Sequence, residues 1–174
     1  MQDIQSIAVI GMRMRDHHPH YNRKSPGLAA LFQWQETQLR HWANQGVTFY
    51  IGCADHWDAH AMKWLFYNGH PHQIQLVLPY PGFGKKQGED WGRVRRLLES
   101  RGQAEYLYPH EPEDNFQALN LRNQEVIKRA DAVLWLWDGV QTDSYDRIVL
   151  KKPRIVFPWD AYVQQFSVAT TGTP

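Results

Sequence analysis

Short β-branched runs closed by glycine or turn residues alternate along this chain with longer stretches whose apolar positions recur at helical spacing. Ser6 to Ile10 (SIAVI) is the first such run and stops at Gly11; Val47 to Ile51 (VTFYI) is the second and stops at Gly52. Ile74 to Leu78, Tyr106 to Tyr108, Ala132 to Trp137 (AVLWLW) and Arg154 to Phe157 (RIVF) supply four more strands. Between them, Leu28, Leu31, Phe32, Leu39, Trp42 and Ala43 share one helical face over Leu28 to Gln45, with Gly46 where a C-terminal cap belongs. Further helices are predicted over Asp58 to Tyr67, Trp91 to Arg101 and Phe116 to Arg129. Strands separated by helices imply right-handed crossovers, so the pattern predicts an α/β, Rossmann-like fold: a mostly parallel sheet with helices on both faces. No repeat or linker interrupts it, which predicts one domain over residues 1–174 with 167–174 as a frayed tail.

Composition narrows the partners. The formal net charge is +1 and the lysines and arginines are scattered, so no extensive duplex nucleic-acid surface is expected. No apolar run approaches the ~20 residues of a membrane span. The first residues, MQDIQSIAVIGMR, lack the basic start of a signal peptide, and the single cysteine cannot close an internal disulfide. A cytoplasmic protein without membrane contact is the expectation. Eight Trp, eight Tyr and nine His exceed what a small core needs, and suit either stacking on planar groups or a subunit contact.

Ligands of open parallel sheets bind beyond the carboxyl ends of the strands, so the residues just after each strand are the candidate chemistry. After strand one come Gly11, Arg13 and Arg15: a glycine for close backbone approach and guanidinium forks for phosphate or carboxylate, or else a plain turn with solvent-facing arginines. After strand two, Gly52 to Asp55 lead into a helix whose N-terminus favours an anion. Asp58 there either complements the helix dipole or bonds a ribose hydroxyl. Cys53 reads as a small buried residue rather than a nucleophile, and His56 with His60, four apart and lacking a third ligand, as two solvated histidines rather than a metal site. Strand three runs into LPYPGFGKKQGEDW, a glycine- and lysine-bearing loop without Walker spacing. Tyr80, Phe83 and Trp91 nearby form either a base-stacking wall or a cover for the sheet edge. In LNLRNQEVIKRADAVLWLWDG, Arg122 and Asn123 sit on a helix entering an apolar neighbourhood and so require partners, in the fold or in a ligand. Asp131 follows at a turn, and the strand after it ends at Asp138 and Gly139.

The combination IAVIGMR, YIGCADHWDAHAM, a PY segment after strand three and RNQEVIKRADAVLWLWDG resembles the YpsA-like branch of the SLOG superfamily, the Rossmann-like group that includes the LOG phosphoribohydrolases and the Smf/DprA proteins. The likeness runs from Ser6 to Phe157. It implies that Gly11 and Arg13 belong to the first ligand loop, that Gly52, Ala54 and Asp58 form the second, and that Arg122 with Asn123 match the family's arginine-asparagine pair. It further implies a ligand of nucleotide type, such as ADP-ribose, NAD or a nucleoside monophosphate. Two features depart from the pattern: His56 stands where a small residue is usual, and DGVQTDSYDR replaces a Gly-Gly-Thr phosphate loop and the catalytic glutamate after it. The first reading is therefore a protein that senses or sequesters such a ligand, without a cofactor or metal. The second is an enzyme cleaving or transferring an N-glycosidic bond, with Asp138, Asp143 or Asp146 as its acid. A third is an interaction protein whose aromatic surface makes a homo-oligomer.

Overall fold

The computed structural model describes residues 3–11, 26–53, 56–83, 89–137 and 146–162. Six strands are ordered in the chain as β1 (Ser6–Gly11), β2 (Thr48–Ile51), β3 (Ile74–Leu78), β4 (Ala104–Tyr106), β5 (Ala132–Leu136) and β6 (Arg154–Val156). Between them lie α1 (Pro26–Ala43), α2 (His56–Tyr67), α3 (Glu89–Ser100), α4 (Asn115–Arg129) and the single turn α5 (Asp146–Val149), and residues 159–162 are helical after β6. All strand pairs are parallel and the sheet order is β4-β3-β2-β1-β5-β6, a Rossmann-like α/β arrangement.

The period of two along each strand divides the core cleanly. Ile7, Val9, Phe49, Ile51, Leu76, Leu78, Leu134 and Leu136 point to the face covered by α1, α2 and α3. Ala8, Ile10, Val77, Val133 and Trp135 point to the opposite face, beneath Val126 and Ile127 of α4, Ala130 just after it and Val149 of α5. Right-handed crossovers require this segregation: the chain steps from β1 out to β4 in one direction, then returns past β1 to β5 and β6 in the other. The central strands β1 and β5 are buried on both sides, which is why they read as continuous apolar runs.

The predicted elements are all present, with shifted ends. Gly46 takes φ +79° and closes α1, the left-handed cap its position implied. Edge strand β4 differs most: it spans Ala104–Tyr106 instead of Tyr106 to Tyr108. An edge strand needs backbone pairing more than apolar side chains, so its solvent-facing residues concealed it from a search for hydrophobic runs. Leu107 and Tyr108 still donate to the Leu78 and Pro79 carbonyls at 3.0 and 2.9 Å, extending the ladder past the strand's end. Neither α5 nor the 3-10 turn over Pro71–Gln73 was signalled by any apolar period. Among the described residues no helix is long and apolar enough to cross a membrane. The tail expected at 167–174 lies outside the described residues.

Candidate functional site

Strand β1 pairs with β2 on one side and β5 on the other, and the order of the sheet reverses there. The chain leaving β1 travels to α1 on one face, while the chain leaving β5 travels to α5 on the other. Sheets with such a reversal of strand order hold ligands in the crevice beyond these strand ends. In register Gly11 lies opposite Leu136, so the two strands end side by side. Arg13, Arg15, Ala54, Asp138, Gly139 and Asp143 lie outside the described residues; Asp146 opens α5.

Gly11 is hemmed in by a residue the sequence reading passed over. A Cβ at Gly11 would stand 2.8 Å from Cβ and Cδ1 of Trp57, in the first turn of α2. The indole is fully buried and stacks at 6.4 Å on Trp34 of α1. Gln35, also fully buried, donates through Nε2 to the Trp57 carbonyl at 2.9 Å. The indole Nε1 and the Gln35 Oε1 have no hydrogen-bond partner among the described residues. Because Nε1 is bonded to Cδ1, this buried donor sits beside the end of β1. The signal available in the sequence was a tryptophan two positions after the acidic turn that follows Gly52.

Three of the nominated residues, far apart in the chain, are brought together. Arg122 extends from α4 over the carboxyl end of β2 and faces Asp58 on α2, Nη1 to Oδ2 at 3.4 Å. It crosses from one side of the sheet to the other, and Gly52 makes the crossing possible: a Cβ there would lie 1.7 Å from Nη1 and 2.6 Å from Cζ. Arg122 is 1% exposed, Asp58 4%, and the guanidinium lies 6.0 Å from the centroid of Phe83. Of the two roles open to Gly52 and Arg122, the one visible here is internal: the glycine admits the arginine, and the arginine ties α4 to α2. Asn123, one residue on, is half-buried on α4.

Cys53 follows in the left-handed region at φ +54°, unusual for a side chain bearing a Cβ. It is fully buried, its thiol 3.4 Å from the Met62 sulfur. Burial first, and the Asp58 carboxylate second, push its pKa far above the ordinary thiol range. Such a thiol stays protonated and does not serve as a nucleophile.

The remaining candidates are packed into the fold more than expected. His60 is only partly solvated: it stacks on Phe32 at 4.1 Å and lies 3.0 Å from Glu36 Oε1. Desolvation lowers its pKa, with Glu36 opposing. Pairing of α1 with α2 is a tertiary event, which is why the histidine looked free in the sequence. Tyr80, Phe83 and Trp91 are all buried in the larger core, Tyr80 edge-on to Phe83 at 5.6 Å and donating to Glu111 at 2.9 Å. They cover the sheet instead of presenting a stacking wall. Asp131 belongs to the opposite end of the sheet, bonded to Gln5 and Ser6. No group of three or more metal-binding side chains occurs among the described residues.

No protein-family model matches this chain, and no curated protein does. The site is therefore read on its own geometry.

Proposed function

We propose that this protein binds a nucleotide or nucleotide-derived ligand, of nucleoside monophosphate, ADP-ribose or NAD type, across the carboxyl ends of β1 and β5, and acts as a sensor or sequestering protein in the cytoplasm. The reversal of strand order at β1 is the observation that carries this reading, because doubly wound sheets hold such ligands there. The motif resemblance supplies the ligand class. Arg13, with Asp138 and Gly139, follows the two strands that flank the crevice. Asp58 and Arg122 contribute differently from the sequence expectation: they hold α2 against α4 behind the β2 turn, fixing where the helix begins.

Calorimetric titration of the full chain with AMP, ADP-ribose and NAD tests the reading. Saturable heat with at least one of them is expected, and Arg13→Ala should weaken it about tenfold, the effect of one charge-assisted hydrogen bond. No heat with any of the three overturns it. Release of free base from a nucleoside monophosphate, abolished by Asp138→Asn, would replace it with the N-glycosidase reading.

A further inference from the structure

A second polar cluster lies away from the β1 and β5 ends, on the core face of α3. Trp91 and Arg95 are one helical turn apart there, 5% and 3% exposed, and Arg95 Cζ lies 5.5 Å from the centroid of the indole. Arg129 on α4 shows a fully matched guanidinium: it grips Glu105 with two bonds of 2.5 and 2.8 Å. Among the described residues Arg95 meets one carboxylate, Glu99, whose Oε1 is 3.3 Å from Nε. That contact offsets charge but is too poorly aligned to be a hydrogen bond, and Glu99 Oε1 already accepts from the Tyr106 hydroxyl at 2.9 Å. Arg95 Nε and Nη1 and Trp91 Nε1 are thus three buried nitrogens with no acceptor among the described residues.

Arginine and tryptophan side chains donate hydrogen bonds and accept none. Buried donors without acceptors are rare in folded chains, and what completes this set must be rich in acceptors. Trp91 also lies in the first turn of α3, a twelve-residue helix, where backbone N–H groups and the helix dipole favour negative charge. The geometry points to an oxyanion site at Trp91 and Arg95, taking a phosphate or carboxylate group. Glu99 limits its affinity by like-charge repulsion. This inference does not rest on the nucleotide reading, since the site lies on α3 and uses none of the residues after β1 or β5.

The test follows thermal unfolding and heats of binding of the full chain with inorganic phosphate, with chloride at matched ionic strength as control. Phosphate should raise the midpoint in a saturable way, as a ligand bound only by the native state must. Arg95→Gln should abolish the response, and Trp91→Phe, which keeps a ring and removes one donor, should weaken binding about tenfold. Glu99→Gln should tighten it about two- to fivefold, an effect no purely structural role for the cluster explains. A response to phosphate no larger than to chloride overturns the site, as does an Arg95→Gln protein that folds and responds like the native one. If Arg95→Gln does not fold, Trp91→Phe decides. AMP that competes with phosphate identifies the oxyanion as the phosphoryl group of a nucleotide, and additive responses identify a separate small anion. AMP binding untouched by Arg95→Gln, with no phosphate response, overturns this site while leaving the proposed function standing.

Discussion

The two ends of the parallel sheet are built on different principles. At the amino end, Asp131 Oδ2 accepts from the Gln5 backbone N–H at 3.0 Å and from the Ser6 hydroxyl at 2.8 Å, and its own N–H donates to the Ser6 carbonyl and hydroxyl. Lys152 closes the last turn of α4 by donating to the Lys128 and Ala130 carbonyls. At the carboxyl end, two glycines are filled by side chains from other elements, a cysteine is held left-handed, and buried polar atoms of Gln35, Trp57, Trp91 and Arg95 have no partner among the described residues. The amino end has one such atom, Gln73 Oε1. A closed network contributes stability; an end with close approaches and unmatched donors is arranged for something besides stability.

The sharpest way to break this contrast is Gly52→Ala. A methyl group 1.7 Å from the Arg122 guanidinium cannot be accommodated, so the arginine must withdraw from Asp58 and leave a buried carboxylate behind. Urea unfolding should show a loss of about 3–5 kcal/mol, the range for breaking a buried ion pair. Arg122→Met should cost a similar amount, and the double variant much less than the two together, because both changes remove one interaction. Additive losses would mean that Gly52 serves some purpose other than admitting Arg122.

Gly11→Ala ranks next. Its methyl would meet Trp57 at 2.8 Å, and the indole can shift only against Trp34. A loss of about 1–3 kcal/mol is expected, typical of overpacking. Displacing a fully buried indole should also red-shift the tryptophan emission relative to the native protein, and unchanged emission with unchanged stability would refute the contact.

How much of this was legible follows the same divide. The strand runs and two of their closing glycines were readable because β1 and β5 are buried and Gly11 and Gly52 sit at strand ends. Gly52, Asp58 and Arg122 were nominated from their positions relative to the strands and from the motif resemblance, and the fold brings them together. What the chain could not reveal is which side chain arrives from another element: that Trp57 fills the space at Gly11, or that Arg122 reaches over the sheet to Gly52. Aromatic residues were the least readable. Tyr80, Phe83 and Trp91 carry a polar tip on an apolar body, a design that fits a buried cover and a ligand wall equally well, and only their burial separates the two. The pairing of Trp91 with Arg95 was hidden, since helical spacing marks a shared face without saying whether its donors find acceptors.

The smallest expected effect tests the amino end, and it depends on pH. The Ser6 hydroxyl, then the backbone N–H groups of Gln5 and Ser6 and the charge of Lys152, hold the Asp131 carboxyl below its ordinary range against the opposing effect of burial. A carboxyl with a depressed folded-state pKa adds stability above its unfolded pKa of about 3.9 and loses it as pH falls through the folded value. Asp131→Asn keeps an acceptor but no charge, so at neutral pH it should cost about 1 kcal/mol, the difference between charged and neutral hydrogen bonds. The native protein should lose that advantage on acidification and the variant should not, so their urea midpoints should converge below the folded pKa. A gap that persists in strong acid would show that Asp131 acts through shape instead of charge, and the amino end would then resemble the carboxyl end more than its closed hydrogen bonds suggest.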